Sequence, residues 1–418
     1  MKVLVIYQYY QDRTAPGHSL VYELTQHLAE CGHEVTVVSG ETGYMDPQQP
    51  TIPWHRRLVR REVDGNVTVI RTYTYSELHR SYLGRLLSFI SFSLTSPFGL
   101  LLAGRHDVAL ASSPPIFPVF IAWLFCRIRR IPFVLEVRDL WPDSAVQMGI
   151  LKNRHLIAIM RWMERKLYDG SKKIIALTQG IHDDICRRGW SRDKVELVTC
   201  GVDSSRLYPD ENARSATRER FNWNDRTVVL YFGALGEANN IPVILRAAKR
   251  LETSSEFLFV LVGNGMKRDE TARWMAKMQI KNIQLLPPVP KEHARAYINA
   301  ADICLATLRD IPLFDGAIPT KMIDYMACSR PVLCGIRGEA QQIIESSGAG
   351  LSFVPDSDEQ LAEQLLELAA NPGLRQEMGA KGLEFVQQRF SAGEMREHAE
   401  NTLQQAADPE YVKVANGC

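Results

Sequence analysis

The chain has 418 residues, 45% of them apolar and 23% charged, with a formal net charge of +1. That balance belongs to a globular protein of two or three domains, and the near-zero charge excludes a global field for nucleic acid. Eight scattered cysteines contain no Cys-x-x-Cys pair, so neither a disulfide framework nor a zinc site is expected, and a reducing compartment is implied.

The start, "MKVLVIYQYY", turns polar too soon for a signal peptide. "KVLVIY" is a short apolar run, hence a buried parallel strand. "SLVYELTQHLAECGH" has helical apolar spacing and stops at Gly32, and "EVTVVSG" is the next strand. This βαβ opening predicts a doubly wound sheet. "VTVIRTY", "VALASS", "FVLEVRD" and "KIIALT" continue as strands, with "FPVFIAWLFCRIRR" and "RHLIAIMRWMERKLY" among the helices, and "KVELVTCGVD" closes the half.

Two features of this half point outward. From His55 to Arg130, eleven arginines face only Glu62, Asp64, Glu77 and Asp107. Such a basic surface beside apolar segments suits an anionic membrane face, while a merely solvated charged face remains the alternative. "LLSFISFSLTSPFGLLLAG", residues 86–104, carries no charge and lies between Arg85 and Arg105. Its length approaches the ~20 residues of a membrane span. Its serines, Thr95 and Pro97 favour a buried or interfacial helix instead.

The segment "SSRLYPDENARSATRERFNWNDR" is polar and reads as a linker. Alternation then restarts: "TVVLYFGALG", "FLFVLVGNG", "NIQLLPPVP", "ADICLATL", "RPVLCGI" and "GLSFVP" are strands, most of them separated by helices. The expectation is an α/β chain of two doubly wound, Rossmann-like domains facing one cleft. The boundaries are 1–205, a linker at 206–225, and 226–392, with a helix at 393–407 packing back on the first domain. The tail after Asp408 reads as frayed. Ligands of such sheets bind beyond the carboxyl ends of the strands. That selects Gly17, residues 138–143, 233–240, 263–265 and 315–324.

Within the last of these, "FDGAIPTK" is a loop and "KMIDYMAC" has helical spacing. A helix starting near Pro319 turns its free N–H groups toward the site and favours an anion. Lys321 in the first turn adds a positive charge for phosphate oxygens. Asp324, one turn on, can accept two hydrogen bonds from a ribose diol. The bland alternative is an ordinary (i, i+3) surface pair. "DSD" at Asp356–Asp358 precedes "EQLAEQLLELAA" and reads as a helix cap with acids in the first turn, not as a metal motif.

"PTKMIDYMACSRPVL" resembles the signature of the retaining glycosyltransferases of family 4, which have the GT-B fold. Asp324 matches the family's ribose-binding glutamate and Lys321 a phosphate contact. The first glutamate of the signature falls at Gly316, so its sugar contact is either lost or taken by Asp315, and Ser329 replaces a usual glycine. "HSLVYELTQHLAECGHEVTVVSG", "LTQGIHDDICRRGWSRDKVELVTCGVDSSRLYP" and "LYFGALGEANNIPVILRAAKRL" are similar to other segments of the family, so the resemblance covers most of the chain. Where many members carry a histidine-aspartate pair, this chain has Arg138 and Asp139 in "RDLWPDS". That version resembles a bacterial O-antigen and capsule subgroup that includes N-acetyl-L-fucosamine transferases. The family's phosphate-binding arginine and lysine are missing from "GALGEANN", which shifts that work to backbone N–H groups after Gly233 and Gly236.

The resemblance implies sugar transfer with retention from a UDP-linked donor, without a metal or other cofactor. Arg138, Asp139 and Asp315 are the expected catalytic residues. Gly17, Gly233, Gly236, Gly316, Lys321 and Asp324 are the expected substrate-binding ones. The implied acceptor is a polyprenyl-diphosphate-linked saccharide on the inner face of a bacterial membrane, with the enzyme cytoplasmic and peripheral on that anionic surface. Two rivals share the fold: a UDP-sugar 2-epimerase and an inactive nucleotide-sugar-binding subunit.

Overall fold

The computed structural model describes residues 1–17, 20–45, 57–79, 81–254, 256–408 and 410. Arg56 and Arg80 of the basic stretch, Ser19 at the first helix start and Cys418 lie outside the described residues. The chain divides into one unit of Met1–Cys200 with the residues from Gly393 on, and another of Gly201–Ala392.

The first unit opens with β1 (Lys2–Ile6), α1 (Leu20–Glu30), β2 (Glu34–Gly40), β3 (Val59–Asp64), β4 (Val67–Thr72) and α2 (Tyr82–Ala103). It continues with β5 (Val108–Ser113), α3 (Ile116–Arg129), β6 (Phe133–Val137), α4 (Asp143–Gln147) and α5 (Arg154–Gly170). β7 (Lys173–Ala176), α6 (Gln179–Arg187) and β8 (Val195–Leu197) complete its first pass. The strands are ordered β3-β4-β2-β1-β5-β6-β7-β8. All pairs are parallel except β3 with β4. β1, β5 and β6 are almost wholly buried, as apolar runs covered on both faces must be. β3, "VRREVD", escapes the sequence reading because it is a charged, half-exposed edge strand.

α2 is long and apolar enough to cross a membrane by length and composition. One stripe, including Ser88, Phe89, Phe92, Thr95, Ser96, Gly99 and Leu100, is buried, and the helix packs on β2 and β4. A Cβ on Gly99 would stand 2.9 Å from Val38 Cγ1 and Thr72 Cγ2, so a glycine there lets the helix approach the sheet closely. The opposite stripe stays apolar yet exposed: Leu83, Leu87, Ile90, Leu94, Phe98, Leu101 and Leu102.

The second unit holds α7 (Glu211–Phe221), β9 (Thr227–Phe232), α8 (Ile241–Arg250), β10 (Phe257–Val262), α9 (Arg268–Lys277), β11 (Ile283–Leu286) and α10 (Ala294–Ala300). It continues through β12 (Ile303–Thr307), α11 (Thr320–Ala327), β13 (Val332–Gly335), α12 (Glu339–Ser347), β14 (Gly350–Ser352), α13 (Asp358–Ala370) and α14 (Pro372–Arg389). Its sheet runs β11-β10-β9-β12-β13-β14, parallel throughout. α15 (Ala392–Ala407) then buries Met395, Ala399, Leu403 and Ala406 with Val21, Leu24 and Leu28 of α1, in the core of the first unit.

The stretch 206–225 is not a free linker. It falls inside the second unit, where α7 carries two arginines onto one carboxylate. Arg214 Nη2 is 2.6 Å from Asp302 Oδ1, Arg218 Nη1 is 3.0 Å from Asp302 Oδ2, and Val228 N–H donates to the same Oδ2 at 2.8 Å. Burial opposes ionisation of Asp302, but the two guanidiniums outweigh it and hold its carboxyl below the usual range.

Candidate active site

In the second sheet the order reverses at β9, which has β10 on one side and β12 on the other. β9 and β12 are paired at Ile303↔Val229 and Cys304↔Leu230. Further on, the Phe232 N–H donates to the Tyr325 hydroxyl at 2.8 Å, and that hydroxyl faces the Phe232 carbonyl at 3.3 Å. Tyr325, fully buried on α11, thus underlies the strand ends at the switch point where doubly wound sheets bind ligands.

α11 begins after Pro319, which has no side chain to cap it. Its first N–H groups therefore present an uncapped positive helix end. Lys321, in that first turn, reaches across to β9. Its Nζ donates to the Tyr231 hydroxyl at 2.5 Å and stands 3.8 Å from the centre of that ring. The Tyr231 hydroxyl in turn donates to the Ala234 carbonyl at 2.7 Å. Among the described residues Lys321 has no ion pair. Burial alone lowers its pKa, to about 7. The (i, i+3) surface pair with Asp324 is therefore not what this lysine makes. Asp324 is half-buried one turn further along.

Gly233 closes β9 at φ +144°, and a Cβ there would lie 3.2 Å from both Cε and Nζ of Lys321. Its carbonyl oxygen is 1.9 Å from where a Cβ of Gly263 would be, so the loops after β9 and β10 lie backbone on backbone. Of the loop N–H groups, Gly233 donates to the Val262 carbonyl, Leu235 to that of Asn264, and Gly236 to Asn239 Oδ1 at 3.2 Å. Of the donors expected after Gly233 to cradle phosphate, those of Leu235 and Gly236 are thus committed within the protein, as is that of Gly233 itself. Gly236 lines a pocket of about 340 Å³ in which Glu237 pairs with Lys267 at 2.9 Å and Arg309 at 3.2 Å. Asp315 and Gly316 end a short 3-10 turn, with the Asp315 side chain exposed. Asp358 is held by Arg246 at 2.7 Å and Arg250 at 2.5 Å while Ser357 caps α13.

In the first unit, Arg138 and Asp139 follow β6, but they do not pair with each other among the described residues. The Arg138 guanidinium lies 5.7 Å from the Tyr7 ring centre, and its Nη1 is buried without a hydrogen-bond partner. The Asp139 carboxylate accepts from the Ser144 hydroxyl at 2.9 Å, and burial raises its pKa. Trp141 packs edge-on against Phe89 of α2 at 6.0 Å, and Arg85 stands over Phe89 and Tyr44. Strand ends and the start of α2 thus share an aromatic, cationic corner. Gly17 is explained by packing, since a Cβ there would strike Met45 Cγ at 2.3 Å. Sequence reasoning missed Tyr231 and Tyr325. A polar tip inside an otherwise apolar strand or helix face is the signal that finds them.

Two family descriptions match the chain side by side. "Glycosyl transferase 4-like domain" matches residues 18–201 and "Glycosyl transferases group 1" matches residues 213–385. The chain is similar to WcaI of Escherichia coli, assigned as a colanic acid biosynthesis glycosyl transferase, with 22% identity over 78% of this chain and 81% of that one. It is also similar to WbjE of Pseudomonas aeruginosa, described as a probable glycosyltransferase, with 21% identity over 64% of this chain and 67% of that one. Among solved structures, HepE of Anabaena in complex with UDP and glucose superposes with a TM-score of 0.73 at 15% identity, covering 97% of this chain and 99% of that one. WaaG, a glycosyltransferase involved in lipopolysaccharide biosynthesis, gives 0.69 at 15% identity, covering 96% and 99%. These superpositions establish the GT-B fold with its two Rossmann-like sheets.

Proposed function

The chain belongs to the group 1 glycosyltransferases of family 4, a retaining family that uses nucleotide-sugars, and we propose that its donor is a UDP-linked sugar. The observation that carries this reading is Lys321. A half-buried ammonium with no acidic partner is costly, and Lys321 stands at an uncapped helix start beside a glycine loop. A diphosphate supplies the missing negative charge. During transfer, negative charge grows on the departing diphosphate, and Lys321 with the α11 N–H groups offsets it. Asp324 is assigned to the ribose. No metal is required for this, because the lysine already supplies the cation.

We assign the acceptor to the first unit and its class to polyprenyl-diphosphate-linked saccharides of surface polysaccharide synthesis. The exposed apolar stripe of α2 supports this. It is joined by Leu124 and Ile128 on α3 and by Ile159 and Trp162 on α5, with Arg105, Arg127, Arg129 and Arg130 exposed nearby in sequence. An apolar face with basic flanks is the pattern of a protein lying on an anionic membrane, here the cytoplasmic face. Arg138 and Asp139 are assigned to acceptor or sugar hydroxyls, with Asp315 beside Gly316 on the donor sugar. The "RDLWPDS" version supports a deoxy-amino hexosyl donor such as N-acetyl-L-fucosamine.

The test is transfer from radiolabelled UDP-sugars to lipid-linked acceptors in vesicles, with EDTA present. Label moving into the lipid fraction in wild type and not in Lys321→Ala supports the proposal. Conversion of UDP-sugar without acceptor would replace it with the epimerase reading.

A further inference from the structure

We propose that His27, Cys31 and Glu400 form a binding site for one zinc-type divalent ion that clasps α15 to α1. The scattered cysteines gave no sequence sign of such a site, because its two sides lie 373 positions apart. His27 stands in the last turn of α1. Cys31 follows four positions later, with its N–H still bonded to the His27 carbonyl at 2.9 Å, so both side chains leave the same face. Glu400 arrives from α15, whose Ala399 and Leu403 are fixed in the core beside α1.

The donor atoms converge. His27 Nε2 is 3.1 Å from Glu400 Oε2 and 3.7 Å from Cys31 Sγ, and the three donor atoms all lie within 4.8 Å of one another. Zinc bonds of about 2.0–2.3 Å at tetrahedral angles separate neighbouring ligand atoms by roughly 3.3–3.6 Å. The cluster already has nearly that spacing. One thiolate, one imidazole and one carboxylate, with water in the fourth place, is a borderline-soft set that suits zinc.

The second oxygen of Glu400 is held separately. Oε1 is 2.9 Å from His33 Nε2 and 3.1 Å from Gln404 Nε2, while His33 Nδ1 faces the Met1 amino group at 3.2 Å. An amino donor on Nδ1 leaves the proton of His33 on Nε2, pointing at Oε1. This outer ring orients the carboxylate and directs Oε2 toward His27 and Cys31, as outer partners do around metal-bound carboxylates. The side chains of His27, His33 and Glu400 are 15%, 11% and 14% exposed, so the place is shielded yet open to an ion. Binding displaces the His27–Glu400 hydrogen bond and releases the thiol proton to solvent. The products are a thiolate and a neutral imidazole on the metal.

The molecule contains its own control. His182 and Cys186 have the same spacing and lie 3.9 Å apart through His182 Nε2, but Asp183 approaches the other nitrogen, Nδ1, at 2.9 Å. Those donors diverge and do not form a site.

The full-length chain, stripped with EDTA and desalted, would be titrated with Co²⁺ and then Zn²⁺. One equivalent of Co²⁺ is expected to raise a thiolate-to-cobalt charge-transfer band that Zn²⁺ abolishes. The band should vanish in Cys31→Ser and persist in Cys186→Ser, and Glu400→Gln should weaken Co²⁺ binding at least tenfold. Zn²⁺ should raise the unfolding temperature of wild type and not of Cys31→Ser. Absence of the band in wild type, or its survival in Cys31→Ser, would overturn the proposal. Should Cys31→Ser fail to fold, loss of the band in His27→Gln decides in its favour and survival there decides against it.

Discussion

Lys321 lays its ammonium 3.8 Å from the centre of the Tyr231 ring while donating to the hydroxyl of the same residue. The lysine comes from α11 and the tyrosine from β9, so the pair spans the point where the strand order of the second sheet reverses. A tyrosine satisfies a lysine without neutralising it. The ring and hydroxyl aim the charge and leave it available to an anion.

Loss of either member should therefore affect nucleotide binding differently. Lys321→Met removes a charged hydrogen-bond donor worth about 1.5–3 kcal/mol, so UDP should bind roughly ten- to a hundredfold more weakly. The fold should be at least as stable, because a half-buried charge without an ion-pair partner has gone. Tyr231→Phe keeps the charge but loses its anchor, and a smaller loss, of severalfold, is expected. Titration calorimetry and thermal unfolding of both variants check this. Equal affinity in Lys321→Met would remove the lysine from the site.

The same lysine sets a pH dependence. Its folded pKa is about 7, against about 10.4 in an unfolded chain. Between those values the unfolded state holds a proton that the folded state has released, so this residue makes stability rise with pH across that window. Below pH 7 both states are charged and the full burial penalty applies. Denaturant unfolding from pH 6 to 10 should show this component in wild type and not in Lys321→Met. UDP restores the charged form, so binding should take up a proton above pH 7 and weaken as pH rises. Calorimetry in buffers of different ionisation heat measures that uptake.

Much of the fold is legible in the residues themselves, and the exceptions have physical causes. Short apolar runs ended by a glycine turn, such as "FLFVLV" before "GNG", read as strands buried on both faces, and the start of α11 is marked by Pro319 before an amphipathic stretch. α7 is different. "ARSATRERF" has the look of a solvated segment, because nothing local reveals that Arg214 and Arg218 turn inward to Asp302, more than eighty positions later. β3 hides behind its charges. Lys321 was readable from its place at a helix start, whereas Tyr231 lies in an apolar strand and acquires meaning only when α11 folds over it. The backbone after Gly233 and Gly236 was expected to offer N–H groups, yet the fold spends those of Leu235 and Gly236 internally.

Asp302 gives a stability prediction independent of function. Asp302→Ala removes the one carboxylate shared by the buried Arg218 and the half-buried Arg214, leaving them mainly backbone carbonyls as acceptors, and should cost about 3–5 kcal/mol, read as a lower urea midpoint. Loss of that order would identify α7 as an integral part of the second unit. An unchanged midpoint would return residues 206–225 to the status of a linker.

The outward stripe of α2 predicts membrane behaviour. Wild type should co-float with vesicles containing anionic lipid and do so less at high salt, since basic residues near a charged surface are screened. Leu94→Glu with Leu101→Glu changes only residues that are 69% and 58% exposed, so folding should persist while flotation is lost. Retained flotation in the double variant would exclude this face.

The most direct measurement is calorimetric titration of the full-length protein with UDP and with GDP in the presence of EDTA. Saturable, metal-independent binding of one UDP per chain, tighter than GDP and weakened in Lys321→Met, is the predicted result. Binding of neither nucleotide would contradict it, and the half-buried lysine at the head of α11 would then be a feature of the fold rather than of a donor site.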